Sequence, residues 1–158
     1  MKAIELEPIG TVHFEGDESF IQIDSKFRQA LRGLDGFGQI NVLWWFSGCD
    51  TLTSRNVLQV PRPYKDAPEV MGVFATRSPQ RPNPIALTTC EVLWFDERTG
   101  IISVPFIDAE EGSPVLDIKP YTPSFDRVES PKVPQWCSHW PQNTTESAFF
   151  DWSQVFLF

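Results

Sequence analysis

Apolar and polar residues alternate along several short stretches of this chain, and a period of two is typical of β-strands that bury one face. Residues 4–13 and 20–23 predict the first two strands, with a turn at residues 16–18 between them. The stretch 39–46 is apolar almost throughout, so it predicts a strand near the centre of a sheet.

One stretch has helical spacing instead. Its apolar residues recur at i, i+3, i+4 and i+7, on one face of a short helix: Phe27, Ala30, Leu31 and Leu34. We expect Asp24 or Ser25 to cap the first turn of this helix, and the glycines that follow Arg32 and Asp35 to end it.

The second half of the chain predicts more strands. Residues 71–75 predict one, and residues 85–95 and 101–107 predict a hairpin around a turn at 96–100. A brief strand is expected at 115–118. Many short strands with one short helix favour an all-β fold, and the pattern is compatible with a barrel and with a sandwich.

The composition is that of a single globular domain, with 158 residues, 41% hydrophobic side chains and 14 prolines that argue against long helices. The three cysteines are too far apart to form a disulfide framework or a Cys-x-x-Cys metal site, so a reducing cytoplasm is the expected location. We expect neither a signal peptide nor a membrane-spanning segment.

Charge is unevenly distributed along the chain, whose net charge is −8. Residues 55–81 carry five basic and two acidic side chains, whereas the segments on both sides are acidic. An acidic chain is a poor non-specific binder of nucleic acid, because neutralisation of phosphates dominates that affinity. The basic segment can still recruit an anion locally.

This basic segment leads into residues 77–84, Arg-Ser-Pro-Gln-Arg-Pro-Asn-Pro, which we call the arginine–proline loop. Each proline fixes its own φ and restricts the residue before it, so Ser78, Arg81 and Asn83 are held stiffly. Hydrogen-bond donors on a rigid loop lose little conformational entropy when a ligand binds. The alternative is an ordinary proline-rich turn whose two arginines, Arg77 and Arg81, pair with nearby carboxylates.

Several common chemistries lack their motifs here, since the chain contains no G-x-S-x-G, P-loop or G-x-G-x-x-G sequence. Neither histidine, His13 or His139, has neighbours in sequence that indicate a catalytic triad, and Cys137-x-His139 favours a structural role over a metal site. Two further polar groups remain. One is the acidic loop (residues 108–114), and the other comprises Asp117, Lys119 and Tyr121. Because Asp117 and Lys119 lie two apart on a predicted strand, we expect them to pair.

Two long motifs carry a resemblance to a known family. They are Gly-Val-Phe-Ala-Thr-Arg-Ser-Pro-x-Arg-Pro-Asn-Pro-Ile at 72–85 and Gly-Ser-Pro-Val-Leu-Asp-Ile-Lys-Pro-Tyr at 112–121. A third element is Leu-Asp-Gly-Phe at 34–37, followed by the aromatic strand that ends at Phe46. Over roughly residues 8–128 the chain resembles the TsaA-like family, whose best-known members are TrmO-type tRNA methyltransferases.

The resemblance implies a small antiparallel β-barrel that binds S-adenosylmethionine, forms a homodimer and uses neither a metal nor a membrane. The implied reaction is methylation of N6 of threonylcarbamoyladenosine beside the anticodon of tRNA. The barrel domain is expected at residues 1–128. Residues 129–158 then form an aromatic-rich C-terminal extension, which packs on the barrel or on the second copy.

The resemblance also implies roles for particular residues. The cofactor pocket is expected to use Arg77, Leu87, Phe46, Ser47, Glu111, Gly112 and Ser113. Methyl transfer to an amide-like nitrogen needs a proton acceptor, for which Asp117 is the candidate catalytic residue. The residues expected to position the substrate are Arg81, Asn83, Lys119 and Tyr121.

An alternative function is a dimeric module that binds S-adenosylmethionine or another ligand without catalysis. The family has a longer segment after its first strand, with a Pro-Arg-Gln-like element that touches the cofactor, whereas here residues 13–22 span that gap. The chain also departs from the family pattern at three single positions, Gln39, Gln80 and Ala86.

Overall fold

The computed structural model describes residues 4–157, which form mainly antiparallel β-structure. In chain order the strands are β1 (Gly10–Glu15), β2 (Glu18–Ile23), β3 (Gln39–Trp45), β4 (Gln59–Pro61), β5 (Val70–Gly72), β6 (Ile85–Glu91), β7 (Trp94–Asp96), β8 (Ile101–Val104) and β9 (Pro114–Pro120). Seven strands build one sheet in the order β6-β3-β9-β1-β2-β8-β7, and β4 pairs with β5 separately. The prediction of an all-β fold with antiparallel strands is confirmed.

Helical structure in the described residues is short. The α-helices are α1 (Leu52–Arg55), α2 (Pro123–Asp126) and α3 (Thr144–Ala148), and 3₁₀ turns occur at Ser25–Leu31, Ser47–Cys49, Val73–Ala75, Gln135–Cys137 and Trp152–Gln154. None of these helices is long and apolar enough to cross a membrane. The helix predicted after Asp24 forms as the 3₁₀ turn Ser25–Leu31, and the Asp24 side chain makes no capping bond there.

Most predicted strands have different bounds in the structure, and the strand predicted at 101–107 ends at Val104. The first begins only at Gly10, so the strand prediction is wrong for residues 4–9. The strand predicted at 71–75 ends at Gly72, because the Thr76 N–H bonds back to the Val73 carbonyl and closes a turn. The chain predicted as one strand at 85–95 divides into β6, which pairs with β3, and β7, which forms the expected hairpin with β8.

The sheet is curled around one hydrophobic core, but a closed barrel is not found among residues 4–157. In the order of strands, β6 and β7 are the two outer strands and no ladder joins them. Alternate residues of the long strands face the core, as the period of two predicts. The core residues are Val12, Ile21, Ile23, Leu31, Ile40, Val42, Trp44, Ala86, Cys90, Ile102, Val104, Ile107 and Val115.

A β-bulge in β9 changes which side chains face this core. Trp44 pairs with Val115 but its neighbour Leu43 pairs with Asp117, so Leu116 is an extra residue. Val115 and Ile118 are three residues apart, yet the bulge turns both towards the core. Asp117 is thereby placed on the outer face of the sheet, on the same side as Leu43.

The C-terminal extension packs on the segment that precedes β5. The backbone of Lys65 donates to the Val155 carbonyl at 2.9 Å, and the Tyr64 ring stacks on Trp136 with centroids 5.5 Å apart. Trp140 meets the Tyr64 ring edge-on at 5.1 Å. These contacts cover aromatic side chains that would otherwise face water. The domain boundary at residue 128 stays a prediction.

The close approach of β1 to β2 gives a test of this packing. A Cβ at Gly10 would lie 2.2 Å from the Gln22 carbonyl oxygen, a backbone atom that cannot move without disturbing the ladder. We expect Gly10→Ala to lower the free energy of unfolding by about 2 kcal/mol or more. Denaturant unfolding measures this change.

Gly38→Ala is the matched control, because a Cβ at Gly38 meets no atom within 4 Å. Its unfolding free energy should stay within about 0.5 kcal/mol of the unsubstituted protein. Equal unfolding midpoints for the two variants would contradict the β1–β2 register described above.

Candidate functional site

The topology brings three chain segments to one end of β3. The strands β6 and β9 flank β3 and run antiparallel to it, so both begin where β3 ends. The Phe46 N–H donates to the Pro84 carbonyl at 2.9 Å, which joins the end of β3 to the arginine–proline loop. A Cβ at Gly48 would lie 3.7 Å from Glu110 Oε2, so the acidic loop is adjacent as well.

The Arg81 side chain holds the first part of this site in shape. Its Nη2 donates to the Val73 carbonyl at 3.3 Å, and its Nη1 donates to the carbonyls of Ser78, at 3.3 Å, and Thr76, at 3.5 Å. The guanidinium is half-buried among these backbone groups. Arg81 therefore stabilises the loop from inside, which limits its own reach towards a ligand.

Arg77 lies at the surface of the same loop and is more available. Its Nη1 donates to the Leu87 carbonyl at 3.0 Å, at the edge of the outer strand β6. This bond brings together two residues that were predicted to bind one cofactor. Within residues 4–157 neither Arg77 nor Arg81 forms a salt bridge, so the alternative that they pair with carboxylates is wrong.

A third arginine, Arg55, supports the loop from outside and was not predicted as a site residue. Its Nε donates to the Pro82 carbonyl at 3.0 Å, its Nη2 to Asn83 Oδ1 at 3.4 Å, and its Nη1 to Asp50 at 3.0 Å. Asn83 is thus engaged in holding the loop. The only signal for Arg55 in the sequence is its place in the basic segment.

The acidic loop is fastened to β1 through Glu111. Its Oε1 lies 2.6 Å from His13 Nδ1, and its Oε2 accepts the Phe14 N–H at 2.8 Å. These two hydrogen bonds, with that of His13 the larger cause, lower the pKa of Glu111. The other ring nitrogen of His13 bonds the Thr11 hydroxyl at 2.7 Å.

The role of His13 could not be found in the sequence, because Glu111 lies 98 residues further along the chain.

The rest of the acidic loop is compact. The Gly112 N–H donates to the Val12 carbonyl at 2.8 Å, with φ at +77°, a conformation that favours glycine. The buried Ser113 hydroxyl accepts the Glu110 N–H at 3.2 Å.

The expected pair of Asp117 and Lys119 is confirmed, with Lys119 Nζ 2.7 Å from Asp117 Oδ2. The hydrogen bond to Asp117 and its charge raise the pKa of Lys119. Leu43 pairs with both Leu87 and Asp117, so these two residues lie in one cross-strand row, about 10 Å apart.

Tyr121 is not brought to the same place. Its N–H donates to the Gln39 carbonyl, at the opposite end of β3 from Phe46 and about 20 Å away. The Phe46 ring is half-buried and meets the core residue Trp44 at 4.4 Å, while Ser47 is exposed. The predicted cofactor residues therefore gather at one end of the sheet. Of the predicted substrate residues, Lys119 and Tyr121 extend along its outer face, whereas Arg81 and Asn83 lie in the arginine–proline loop.

Metal ligands are a separate matter. No group of three or more His, Cys, Asp or Glu side chains within residues 4–157 is arranged to hold a metal ion. The Cys137 thiol is buried and donates to the Pro134 carbonyl at 3.4 Å. Burial raises the pKa of this thiol, as is typical of a structural cysteine.

Comparison with known proteins identifies relatives of similar sequence. A protein of Methanothermobacter thermautotrophicus described as a probable S-adenosyl-L-methionine-binding protein is 38% identical over 79% of this chain and 95% of its own length. The human tRNA (adenine(37)-N6)-methyltransferase is 37% identical over 66% of this chain, which matches 23% of that enzyme.

A solved structure shows the same similarity in three dimensions. TrmO from Pseudomonas aeruginosa superposes with a TM-score of 0.63 and 25% identity, over 83% of this chain and 62% of that one. The chain therefore spans less than two thirds of this solved relative. The family described as the tRNA-methyltransferase O N-terminal domain matches residues 3–127, so this chain belongs to that family, as the motif resemblance predicted.

Proposed function

We propose that this protein is an S-adenosylmethionine-dependent methyltransferase that acts on tRNA, with N6 of threonylcarbamoyladenosine beside the anticodon as the acceptor. Membership in a tRNA methyltransferase family supports the class of enzyme. The relatives described as S-adenosyl-L-methionine-binding proteins support the cofactor. We further propose a cytoplasmic homodimer, as the resemblance implies.

The observation that carries the cofactor site is the uncompensated charge of the arginine–proline loop. S-adenosylmethionine has a carboxylate, and Arg77 faces no carboxylate of its own chain within residues 4–157. Each charge-assisted hydrogen bond from this guanidinium is worth about 1.5–3 kcal/mol. Because Arg81 and three prolines already fix the loop, little entropy is lost when Arg77 binds.

The remaining cofactor residues fit the other parts of the molecule. Leu87 is 47% exposed on the outer face of the sheet and offers apolar cover for adenine. Ser47 and the backbone of Gly112 offer polar groups for the ribose. The Glu111 carboxylate already accepts two bonds but retains lone pairs that can accept more, from an ammonium group or a hydroxyl. We therefore keep Glu111 and Ser113 in the proposed pocket, with Ser113 acting through the shape of the loop.

Bound S-adenosylmethionine supplies an electrophilic methyl group, and the protein must align the acceptor nitrogen with it. Asp117 is the proposed proton acceptor, in the same cross-strand row as Leu87. Lys119 donates to Asp117 and is itself exposed on the outer face, where it can meet a phosphate. Tyr121 is proposed to contact the tRNA further along this face, and Arg81 and Asn83 to act by shaping the loop.

One observation favours the alternative, a module that binds the cofactor without catalysis. The strands β1 and β2 pair from Gly10 with Ile23 to Glu15 with Glu18, so a two-residue turn joins them. This turn leaves no room for the cofactor-touching element that the resemblance implies in this place. The two functions differ in turnover, which the following experiment measures.

The proposed reaction is tested by incubating purified protein with S-adenosylmethionine and tRNA, followed by mass spectrometry of the digested nucleosides. We expect a singly methylated threonylcarbamoyladenosine, together with cofactor binding in calorimetry. Cofactor binding without any methylated nucleoside would support the non-catalytic module and overturn the methyltransferase.

Arg77→Ala tests the cofactor site. Loss of one charge-assisted bond should weaken the binding of S-adenosylmethionine about tenfold or more in calorimetry. Arg62→Ala is the control, because Arg62 lies in the same basic segment but faces Glu69 at 3.9 Å on the β4–β5 hairpin. An unchanged dissociation constant for Arg77→Ala would assign this side chain to loop structure alone.

Glu111 should make stability depend on pH in a defined direction. Its pKa in the folded protein lies below the ordinary value of 4.5, so the unfolded chain binds the proton more tightly. The stabilisation is therefore complete above about pH 4.5 and is lost as the pH falls through the folded pKa. Thermal unfolding of the native protein and of Glu111→Gln should differ at pH 6 and converge in acid. A constant difference at every pH would show that Glu111 acts without its charge.

A further inference from the structure

Phe74 is an exposed large hydrophobic side chain in the motif at 72–85, just before the arginine–proline loop. It lies in the 3₁₀ turn Val73–Ala75 and is 80% exposed, whereas its neighbour Val73 is 1% exposed. A phenylalanine that faces water leaves a large apolar ring uncovered. Neither the core nor the proposed cofactor pocket uses this ring.

The backbone that carries Phe74 is firmly held, so the exposure does not come from a loose segment. The Val73 carbonyl accepts three hydrogen bonds, from the Thr76 N–H at 3.1 Å, the Thr76 hydroxyl at 2.9 Å and Arg81 Nη2 at 3.3 Å. The Val73 N–H donates to the Leu58 carbonyl at 3.0 Å. The ring is therefore presented at a fixed position next to the loop.

The charge around Phe74 indicates what can cover it. Arg81 lies beneath the turn, and Arg77 follows three residues later, neither of them paired with a carboxylate within residues 4–157. An aromatic face beside uncompensated guanidinium groups suits an unpaired nucleobase whose flanking phosphates are negative. A second copy docked on this face would bring two groups of positively charged guanidinium side chains together, which is repulsive.

We propose that Phe74 stacks on an unpaired base in a single-stranded loop of the RNA substrate. This inference rests on the proposed function for the class of partner. It adds a contact that selects loops over paired stems, because the bases of a duplex are stacked on each other and have no free face. Phe74 is a binding residue in this proposal and takes no part in methyl transfer.

The test compares Phe74→Leu with Phe74→Trp, since leucine keeps apolar area but loses the aromatic face and tryptophan keeps it. Binding of a synthetic RNA hairpin with an adenine-containing loop is measured without cofactor, beside a fully paired RNA duplex. We expect Phe74→Leu to weaken hairpin binding about tenfold, with duplex binding unchanged and Phe74→Trp close to the native protein. The slope of log affinity against log salt concentration should be the same for Phe74→Leu and the native protein, because the substitution removes no phosphate contact.

Phe149→Leu is the matched control, as Phe149 is 89% exposed but follows α3 in the C-terminal extension and is not part of the motif at 72–85. Equal losses for Phe74→Leu and Phe149→Leu, or no loss for either, would overturn the proposal. A shift from dimer to monomer in Phe74→Leu, seen by light scattering, would also overturn it by assigning the ring to a protein interface.

The stacking contact and the methylation reaction are tested by separate measurements, so either can fail without the other. If the native protein methylates no nucleoside but Phe74→Leu still loses hairpin binding, the stacking proposal stands and the proposed reaction fails. If methylation proceeds with unchanged hairpin affinity in Phe74→Leu, the reaction stands and the stacking proposal fails. Calorimetry with S-adenosylmethionine should give the same dissociation constant for Phe74→Leu and the native protein. A large change in this constant would contradict the proposal that Phe74 lies outside the cofactor pocket.

Discussion

The position of β3 between two antiparallel partners is the constraint on which the site depends. Since β6 and β9 both begin where β3 ends, the loops that precede them must converge on Phe46 whatever their sequence. The arginine–proline loop enters β6, and the acidic loop enters β9. Two segments about 30 residues apart in the chain are thus brought to one end of the sheet by the backbone ladders, and the side chains of Arg81 and Glu111 fasten them there.

The site combines this rigid frame with a loop that supplies its own support. Arg81 donates to backbone carbonyls of the turn and the loop, and Arg55 reaches the loop from the other side. Two arginines are thus used for structure, so that a third, Arg77, is exposed with a single hydrogen bond. In a chain with a net charge of −8, Arg77 and Arg81 still face no carboxylate within residues 4–157, whereas Arg55 pairs with Asp50.

The sequence allowed the alternating strands and the pair of Asp117 and Lys119 to be predicted, because both rest on local spacing. The family resemblance assigned Arg77 and Leu87 to one predicted pocket, and the structure brings these two residues into contact. Contacts between segments that are distant in the sequence could not be predicted from it, as the hydrogen bond between His13 and Glu111 shows. The 3₁₀ turn at Val73–Ala75 was missed because apolar residues in a short run fit a strand equally well. Only the hydrogen bonds to the Val73 carbonyl distinguish the two.

The division of residues 85–96 between β6 and β7 has a similar origin. Val92 donates to the Gly38 carbonyl and Leu93 to the Ser103 carbonyl, so neighbouring residues bond to strands on opposite sides. A pattern of apolar residues describes which face of a strand is buried but carries no information about its partner. The pairing is decided by the curvature of the whole sheet.

The bulge in β9 has a consequence for insertions and deletions. With Leu116 present, Val115 and Ile118 both reach the core while Asp117 lies outside. Deleting Leu116 would restore strict alternation and leave Val115 and Ile118 on the core face and Asp117 on the outer face. Homologous chains of different length in β9 should therefore be aligned with the gap at Leu116, and a gap placed two residues later would pair residues that occupy opposite faces of the sheet.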